Sequence, residues 1–471
     1  MLTRIALTLA YVLMILPAAA AAQSCDYLLV STTDFSTGST TSLDPDTKAP
    51  TLNVEAIHSD AVLRASGVDG LVYVVGRAGG NHIQVLDPCD DFDTIDQFST
   101  GDNSNPHDIV FVSPTKAYVS RYDLTSVLIM NPQTGATLGT INLAAFADAD
   151  GLPEMDQMFL TDDYLCVLLQ RLDRNMFYTP VGTSYLAVID LATDTVVDMN
   201  PVAGGVQPVT LPRTNPYSEV NHRIVGPATT AYFSCVGFFG VLDGGVVAVD
   251  LADVTSQSVV LTETAAGGDI LDVEIINDTR GYAIIATPSF TTELIAFNPS
   301  TGAKIGGTLY APGGYDLNDC EPHDLGGVLL LTDRKATNPG VRCFDLATGA
   351  VAGALINVGL PPFDILVSDG VPTAAGDTPS PTSLGANYPN PFNPSTTIPF
   401  ALVREGHVTI RIYDVTGRAI ATLVDGVRAA GSHAATWDGR TNAGATAASG
   451  VYFARLVADD VRQTRKLVLM K

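Results

Sequence analysis

A short turn motif that recurs seven times is the feature that most constrains how this chain can fold. In each copy an apolar strand ends in Asp or Asn, and Pro or Leu follows. Short Asp and Asn side chains bond to the nearby backbone, and the Thr-Gly that completes several copies allows a positive φ, so each copy predicts a tight turn between two strands. The copies are Leu43-Asp44-Pro45, Leu86-Asp87-Pro88, Met130-Asn131-Pro132, Ile189-Asp190-Leu191, Val249-Asp250-Leu251, Phe297-Asn298-Pro299 and Phe344-Asp345-Leu346.

Two further strands precede most copies of the turn. One carries Tyr near its start, as in Val72-Tyr73-Val74-Val75, and the strand before it opens with an acidic residue. Four short strands per unit, repeated every roughly 40 to 65 residues, are typical of the blades of a β-propeller. The opening residues are Asp60, Asp108, Asp156, Asp272, Asp324 and Asp364, and Asn221 stands in the remaining unit.

The two ends of the repeat region complement each other. The last opening strand, 364–367, has no partner strands after it, and the first segment, 27–54, lacks an opening strand. Joined, they make one complete blade, which removes a free sheet edge. We therefore predict an all-β chain in which a seven-bladed β-propeller is followed by a small Ig-like β-sandwich. The predicted blades are 56–100, 106–143, 154–202, 219–263, 270–310, 322–358, and 362–368 with 26–55.

The repeated turns resemble those of YVTN-type or quinoprotein-like propeller repeats, over about residues 25–368. The resemblance implies the propeller fold. It implies little about activity, because one fold hosts many functions.

The first 22 residues have the pattern of a secretory signal peptide. Arg4 supplies a positive start, 5–16 is an apolar run that is too short for a membrane span, and 18–22 offers an Ala-x-Ala cleavage site. We found no other stretch apolar enough to span a membrane. In an exported chain the six cysteines permit disulfides. The pairing stays open; the favoured pairs are Cys25–Cys89 and Cys320–Cys343, with Cys166 and Cys235 as candidate free thiols.

The net charge narrows the class of partner. The chain has 50 Asp and Glu against 25 Lys and Arg, for a formal charge of −25. Such a surface repels nucleic acid backbones and anionic lipids, and it favours cations and neutral ligands. We therefore expect no nucleic acid partner.

The composition changes after the repeats. Residues 369–385 are rich in Pro, Thr, Ser and Ala and are predicted to be an extended linker. From residue 386 onward the pattern returns to strands, as in the alternating 408–414 segment. About seven short strands in 386–471 predict an Ig-like sandwich, with the single Trp, Trp437, in its core.

The motifs of this C-terminal region resemble those of type IX secretion sorting domains of the FlgD-like Ig type. The matching strings are YPNPFNPSTTI, V-x-I-x-I-Y-D-x-x-G-R, W-D-G, S-G-V-Y-F and a basic, apolar last strand. The resemblance implies the type IX machinery as a partner and a secreted or cell-surface location. An accessory Ig-like module without a sorting role is the alternative. The sorting-signal residues are Tyr388, Pro389, Asn390, Pro391, Phe392, Asn393, Pro394, Tyr413, Asp414, Gly417, Trp437, Asp438, Gly439, Gly450, Tyr452 and Lys466.

The opening acidic residues are the main candidates for a site. We expect them to ring one mouth of the central channel, with four histidines beside them: His58, His107, His222 and His323. In one interpretation each carboxylate accepts backbone N–H bonds and fixes the ring of blades. In the other, Asp60, Asp108, Asp156, Asp272, Asp324 and Asp364 bind a divalent cation such as Ca²⁺, and the histidines contact a ligand.

Two functions remain open from the sequence. The first is an exported binding module whose propeller takes a protein, glycan or small-molecule ligand. The alternative is a lactonase-, hydrolase- or lyase-like enzyme that uses the His and Asp groups at the channel mouth. The sequence has no G-x-S-x-G or H-E-x-x-H motif, so no catalytic residue is assigned.

Overall fold

The chain is described by a computed structural model. It describes residues 27–368 except 177, 226, 227 and 325, and then 383–384, 392, 394–402, 406–414, 418–428, 431–442, 444–458 and 461–470. The predicted signal peptide, 1–22, lies outside the described residues, as do Cys25 and almost all of the predicted linker, 369–385.

Strands dominate the described part of the chain. The other elements are one short helix, α1 (Glu263–Ala266), and the 3₁₀ turns Ala144–Phe146 and Arg174–Met176. The strands before residue 369 are β1 (Tyr27–Thr33), β2 (Gly38–Leu43), β3 (Pro50–Ile57), β4 (Ala61–Ala65), β5 (Val72–Gly76), β6 (His82–Asp87), β7 (Asp93–Ser99), β8 (Pro106–Ser113), β9 (Lys116–Arg121), β10 (Ser126–Met130), β11 (Thr137–Asn142), β12 (Met155–Leu160), β13 (Tyr164–Leu169), β14 (Leu172–Asp173), β15 (Thr179–Pro180), β16 (Tyr185–Asp190), β17 (Thr195–Val196), β18 (Val209–Thr210), β19 (Asn221–Val225), β20 (Ala228–Cys235), β21 (Gly245–Asp250), β22 (Asp253–Thr262), β23 (Asp269–Asn277), β24 (Arg280–Ala286), β25 (Thr292–Asn298), β26 (Ala303–Tyr310), β27 (Leu317–His323), β28 (Val328–Asp333), β29 (Gly340–Asp345) and β30 (Pro362–Ser368).

Apart from β14 and β15, which pair only with each other, these strands form seven small antiparallel sheets, which we number as blades. Blade 1 has the order β3-β2-β1-β30 and so joins both ends of the region. Blades 2 and 3 are β4–β7 and β8–β11, and blade 4 contains β12, β13, β16, β17 and β18. Blades 5 and 6 are β19–β22 and β23–β26, and blade 7 is β27–β29. The predicted seven-bladed propeller is the architecture observed.

The blades pack face to face in a closed ring. In six of the seven pairs of neighbouring blades the first strands pack against each other, including β27 with β30 and β30 with β4, which close the circle. Blades 4 and 5 share an apolar cluster that includes Phe159 and Phe233. The core is therefore divided into separate clusters between blades rather than gathered in one centre.

The recurrent turns form as their residue types require. Asp44, Asp190 and Asp345 each accept a hydrogen bond from the backbone N–H three residues later, at 2.7–2.8 Å. The hydroxyl of the same Thr donates to each carboxylate as well, and the hydroxyl and backbone bonds together lower the pKa of all three carboxyls. In the x-Thr-Gly copies the glycine has a left-handed backbone conformation, as at Gly135 (φ 67°) and Gly349 (φ 75°).

Two expectations about blade 7 were wrong. The blade begins at Leu317, five residues before the predicted start at 322. The proposed Cys320–Cys343 disulfide is absent, and both thiols are free and buried. β28 lies between their strands, which separates the Cα atoms by about 9–10 Å and exceeds the reach of a disulfide. Cys320 also faces blade 6, whereas Cys343 faces blade 1.

The C-terminal strands form a two-sheet sandwich. One sheet has the order β31-β32-β35 and the other β34-β33-β36-β37. Alternate residues of both sheets enter one core, in which Trp437 is 1% exposed, as predicted. The strands are β31 (Ser383–Leu384), β32 (Thr396–Leu402), β33 (Gly406–Asp414), β34 (Ala419–Arg428), β35 (Gly431–Trp437), β36 (Gly450–Ala458) and β37 (Val461–Leu469).

Candidate functional site

The first strand of each blade faces the central channel, and all seven run in the same direction. We call the face where these strands begin the upper face and the opposite one the lower face. The loops between the second and third strands of each blade also lie on the upper face, because the strands alternate in direction. The recurrent Asp/Asn turns, which join third and fourth strands, lie on the lower face.

Three of the predicted acidic residues tie neighbouring blades together. Asp108 accepts a hydrogen bond from Met158 N in the next blade at 2.8 Å, Asp272 from Cys320 N at 3.0 Å, and Asp364 from Leu63 N at 2.6 Å. All three side chains are buried. We call these contacts inter-blade clasps. They agree with the interpretation in which the carboxylates fix the ring.

The fourth clasp comes from a residue that the sequence analysis missed. Asp319 in β27 accepts from Ile365 N at 2.7 Å and is buried. Asp324, the residue predicted for this position, lies beyond the end of β27 in an exposed turn, where Gly327 N donates to its backbone oxygen. The prediction aligned Asp324-Leu325 with Asp364-Ile365, whereas Asp319-Cys320 is the equivalent pair.

Asp60 and Asp156 lie at the upper face without forming clasps. Asp60 precedes β4 and makes a 2.8 Å ion pair with Arg77. Asp156 in β12 accepts from Gln170 Nε2 at 2.8 Å and contacts His107 Nδ1 at 2.8 Å. These two carboxylates therefore contact side chains at the mouth of the channel. The predicted uniform ring divides into carboxylates that form clasps and carboxylates that contact side chains at the mouth.

A buried arginine joins four blades in the channel. Arg64 Nε lies 2.7 Å from Asp108, and its terminal nitrogens donate to Glu219 at 2.7 Å and to Gln157 at 2.9 Å. Arg64 is 6% exposed. Its position within the apolar strand 61–65 was the available signal, because a charge inside such a strand needs buried partners.

The channel carboxyls hold protons more tightly than ordinary ones. Burial raises the pKa of Asp108, and it raises the pKa of Asp272 to about 6. Burial and the neighbouring carboxylates raise the pKa of Asp319 well above its usual value. Burial and Glu219 do the same for Asp364. The neutral acid still accepts a backbone N–H bond, so proton uptake leaves the clasps in place.

His107 sits at the mouth in a fixed orientation. Besides its contact with Asp156, its ring stacks on Tyr122 with centroids 4.2 Å apart and planes 10° apart. Tyr122 OH donates to Gln170 Oε1 at 2.7 Å, so a continuous polar chain holds the imidazole. A histidine held by a carboxylate in this way can exchange a proton with a bound molecule.

The two other predicted histidines whose side chains the structure describes do not gather around His107. His58 lies on the upper face beside His82, with ring centroids 6.0 Å apart. His323 ends β27 at the lower face, is buried, and packs against Gly326. His222 is the second residue of β19, and its side chain lies outside the described part of the structure. The predicted cluster is thus distributed over both faces.

Within the described residues, the predicted carboxylates include no three whose oxygens approach closely enough to share one ion. One other group does: Asp148, Asp150 and Glu154 place one oxygen each within 4.8 Å of one another. Arg174 lies 3.1 Å from Glu154 and 4.0 Å from Asp150, so the chain supplies its own cation there. Burial raises the pKa of Glu154 to about 7.

The predicted sorting-signal residues that the structure describes belong to the sandwich framework. Phe392 pairs with Leu469 as a parallel bridge and packs on Trp437, with ring centroids 5.4 Å apart. Trp437 Nε1 donates to Arg440 O at 2.8 Å, and Tyr452 OH donates to Ala448 O at 2.8 Å. The latter bond is typical of the tyrosine corner of Ig-like sandwiches.

Four further members of this set support turns or strand pairing. Asp414 accepts from Arg418 N at 3.1 Å, and Asp438 accepts from Arg440 N at 3.1 Å. Gly439 has φ 70°, and a Cβ there would lie 2.9 Å from Pro394 O, so the position requires glycine. Lys466 in β37 pairs with Phe453.

Three members, Pro394, Tyr413 and Gly450, complete the set that can be placed, and the Pro394 carbonyl lies against Gly439. Tyr413 lies under Arg455, 4.9 Å from the ring centroid, and Gly450 opens β36. The remaining predicted residues, Tyr388, Pro389, Asn390, Pro391, Asn393 and Gly417, lie outside the described residues. In the described part of the chain, no helix has the length and apolar character needed to cross a membrane.

Comparisons with known proteins identify the C-terminal module and give distant likenesses for the rest. Residues 402–460 match the family model described as the FlgD Ig-like domain. No curated protein matches the chain.

Three solved structures illustrate the likeness of fold. The chain is similar to the periplasmic gluconolactonase PpgL of Pseudomonas aeruginosa, with 15% identity, TM-score 0.48, and coverage of 73% of this chain and 99% of that one. A putative 6-phosphogluconolactonase of Bacteroides fragilis gives 15% identity and TM-score 0.48, covering 75% and 100%. PorZ of Porphyromonas gingivalis, a surface component of the type IX secretion system, gives 11% identity and TM-score 0.38, covering 92% of this chain and 56% of that one. At such scores these likenesses carry no functional argument, and the family shown is that of the C-terminal segment alone, the FlgD Ig-like domain.

Proposed function

We propose that this chain is an exported binding protein, with a signal peptide at 1–22, a ligand-binding propeller at 23–368, a linker at 369–385 and a type IX sorting domain at 386–471. The observation that carries the proposal is the C-terminal module. Its residues 402–460 match the FlgD Ig-like domain, and the YPNPFNP string precedes them. The protein is then secreted or held at the cell surface after passage through the periplasm, with the type IX machinery as its transport partner.

The last strand is the part of the module on which the proposal depends. β37 pairs with β36 along nine positions, from Gly450–Leu469 to Ala458–Val461. Leu467 and Leu469 are at most 1% exposed in the sandwich core. Loss of this strand exposes the edge of β36 and opens the core, so a receptor that recognises the folded module has no target.

A reporter fusion tests the sorting role. We expect a periplasmic reporter that carries residues 386–471 to cross the outer membrane of a type IX-competent host. The same fusion without residues 465–471 should remain in the periplasm. A fusion on 369–471 from which the seven residues 369–375 are removed is the matched control and should still be exported. Equal export of the intact and truncated fusions would show that the module is an accessory Ig-like domain.

The held imidazole at the channel mouth favours a second candidate, a propeller enzyme of the lactonase or hydrolase kind. His107 with Asp156 is the pair that would act on a bound substrate as general base. Purified protein should then open a sugar lactone, and His107→Gln should abolish turnover while leaving the unfolding transition unchanged. Absence of turnover across a panel of lactones, or full turnover in the variant, rejects this candidate.

A further inference from the structure

The exposed aromatic side chains of the propeller share one face. In the described part of the chain every exposed Phe or Tyr lies in a loop of the upper face, and none lies on an outer strand or at a lower turn. Apolar groups of this size usually become buried, so a set confined to one face marks an interaction site. They are Phe35, Tyr178, Tyr217, Phe238, Phe239, Phe290 and Tyr315.

Two of these rings already carry a cation from the chain itself. The Arg334 guanidinium lies 4.8 Å from the Phe35 ring centroid, and the Arg174 guanidinium lies 6.0 Å from that of Tyr178. Among the described residues, no Arg or Lys lies over the other five rings, which all belong to blades 5 to 7 or the loops that lead into them. On this face, therefore, two described rings pair with an Arg side chain, and five described rings have no cation over them.

The segments that carry the five rings meet near one buried carboxylate. Tyr217 and Phe239 meet edge to face, with centroids 5.5 Å apart. Tyr315 is exposed as a whole, but desolvation of its hydroxyl, together with the nearby Tyr217 and Asp269, raises the pKa of that hydroxyl. Asp269 pairs with Ala286, which leads into the loop that carries Phe290. A cleft of about 190 Å³ opens between Tyr178 and the loop of Phe238 and Phe239.

The carboxylate at the centre lacks a donor for one of its oxygens. Asp269 is 4% exposed, and its Oδ2 accepts from Gly240 N at 2.7 Å, in the loop that carries Phe238 and Phe239. Its Oδ1 is buried without a hydrogen-bond partner. An unpaired buried acceptor is costly, so a donor from another molecule would be bound favourably here.

The charge around these rings selects the kind of donor. From residue 224 to residue 279 the chain has no Lys or Arg and has eight Asp or Glu. Asp243 and Asp269 place part of this charge on the upper face. Arg213 donates to Gly244 O at 3.3 Å, but in the described residues it lies over none of the five rings. A sector that is aromatic and acidic, with no cation over its rings, complements an ammonium or guanidinium group, which aromatic rings attract through their π faces.

We propose that Tyr217, Phe238, Phe239, Phe290, Tyr315 and Asp269, here called the acidic aromatic surface, dock a basic peptide segment of another protein. A Lys or Arg side chain of the partner lies over the rings and donates to Asp269 Oδ1. The inference specifies the ligand of the binding function proposed above and rests on it. The partner supplies the cation that Arg334 and Arg174 supply to Phe35 and Tyr178.

Fluorescence anisotropy with a labelled peptide of alternating lysine and glycine tests the inference on the purified full chain. We expect saturable binding, and no binding of the same peptide with every lysine acetylated. Phe239→Ala and Tyr315→Ala should each weaken binding roughly two- to fivefold, the size expected for one exposed cation–π contact. Phe35→Ala is the matched control, because its ring already faces Arg334, and it should bind like the parent.

Three outcomes overturn the inference. If salt abolishes binding but Phe239→Ala and Tyr315→Ala leave it unchanged, the peptide is attracted to an acidic protein in general and not to this surface. Binding of a soluble neutral glucan, lost in the same variants, would assign the surface to carbohydrate. Absence of peptide binding by a chain with an intact unfolding transition would exclude the docking site. The export test uses only the C-terminal module, so failure of one proposal is distinguishable from failure of the other.

Discussion

At the scale of single residues, an aspartate at the channel acts according to its position along the first strand. Some aspartates lie one residue before the backbone N–H that donates to the preceding blade. Their carboxylates can reach the following blade, as those of Asp319 and Asp364 do. A carboxylate at the start of the strand, such as Asp156, instead binds side chains at the upper mouth. A displacement of one or two residues, as at Asp156 and Asp60, therefore changes a structural contact into a potential ligand contact.

Asp319 and Asp324 give a direct test of this distinction. Asp319→Ala removes the acceptor of the buried Ile365 N–H and should lower the free energy of unfolding by about 1–3 kcal/mol. Asp324→Ala, in an exposed turn, is the matched substitution and should change it by less than about 0.5 kcal/mol. Urea unfolding followed by circular dichroism measures both. A larger loss for Asp324→Ala would restore the original alignment of blade 7.

The raised pKa values predict that acid stabilises the propeller. Burial raises the pKa of Glu263 to about 8 and that of Asp272 to about 6, above the unfolded values near 4. The folded state then binds protons more tightly, so this contribution is complete below about pH 4 and is lost as pH rises to about 8. The melting temperature should fall over that range.

A substitution separates this effect from general charge repulsion. Glu263→Gln stays uncharged at every pH, so the fall in melting temperature between about pH 5 and pH 8 should be smaller than in the parent. Asp253→Asn is the control, because hydrogen bonds from Thr255 lower the pKa of this exposed carboxyl. Removal of this carboxylate should leave the fall in melting temperature as large as in the parent. Equal slopes for parent and Glu263→Gln would contradict the assignment.

Residue-level features were predictable from the sequence only where they repeat. The recurrence of acidic residues in opening strands indicated a ring of structural contacts, and Asp108, Asp272 and Asp364 form them. The partners were not predictable, because each receiving N–H belongs to another blade. Arg64 was missed for the same reason: its partners Asp108 and Glu219 come from distant parts of the sequence.

At the scale of elements, the recurrent turn was the most informative signal, because it depends on local chemistry alone. The Asp44 and Asp345 turns form from bonds within a few residues, so their sequence suffices to predict them. The start of blade 7 was harder to predict. Segment 316–324 offers three aspartates close to Pro322, and the choice among them depends on the neighbouring blade.

The strand that closes the ring makes the strongest prediction at this scale. Ile365 and Val367 pack toward blade 7, whereas Leu366 packs toward blade 2. A chain that ends at residue 361 therefore uncovers β1 and two apolar faces together. We expect it to lose the cooperative unfolding transition and to associate, whereas a chain that ends at residue 368 should retain the transition and remain monomeric.

Sedimentation together with thermal circular dichroism distinguishes these two chains. A third chain, ending at 368 with Asp364→Ala, isolates the clasp from the strand and should remain folded with a lower melting temperature. Cooperative unfolding of the chain that ends at 361 would show that blade 1 is stable with three strands and that closure contributes little.

At the scale of the whole molecule, the apolar cores fall into two sets. The sandwich core draws only on residues from Leu384 to Leu469, and the clusters between blades draw only on residues from Tyr27 to Val367. Among the described residues no apolar cluster contains members of both. Each part therefore has the burial that it needs to fold without the other.

The single tryptophan makes this separation measurable. Trp437 is in the sandwich core, so its emission reports the unfolding of that module alone, whereas circular dichroism is dominated by the longer propeller. We expect the two signals to give different urea midpoints in the full chain. Leu467→Ala, which opens a cavity in the core cluster that contains Trp437, should lower the tryptophan midpoint through a loss of about 2–5 kcal/mol and leave the main dichroism transition in place. Ile284→Ala, in the cluster between blades 6 and 7, should do the reverse. If either substitution moved both midpoints equally, the propeller and the sandwich would be one cooperative unit, and the C-terminal module could not serve as a transferable sorting signal.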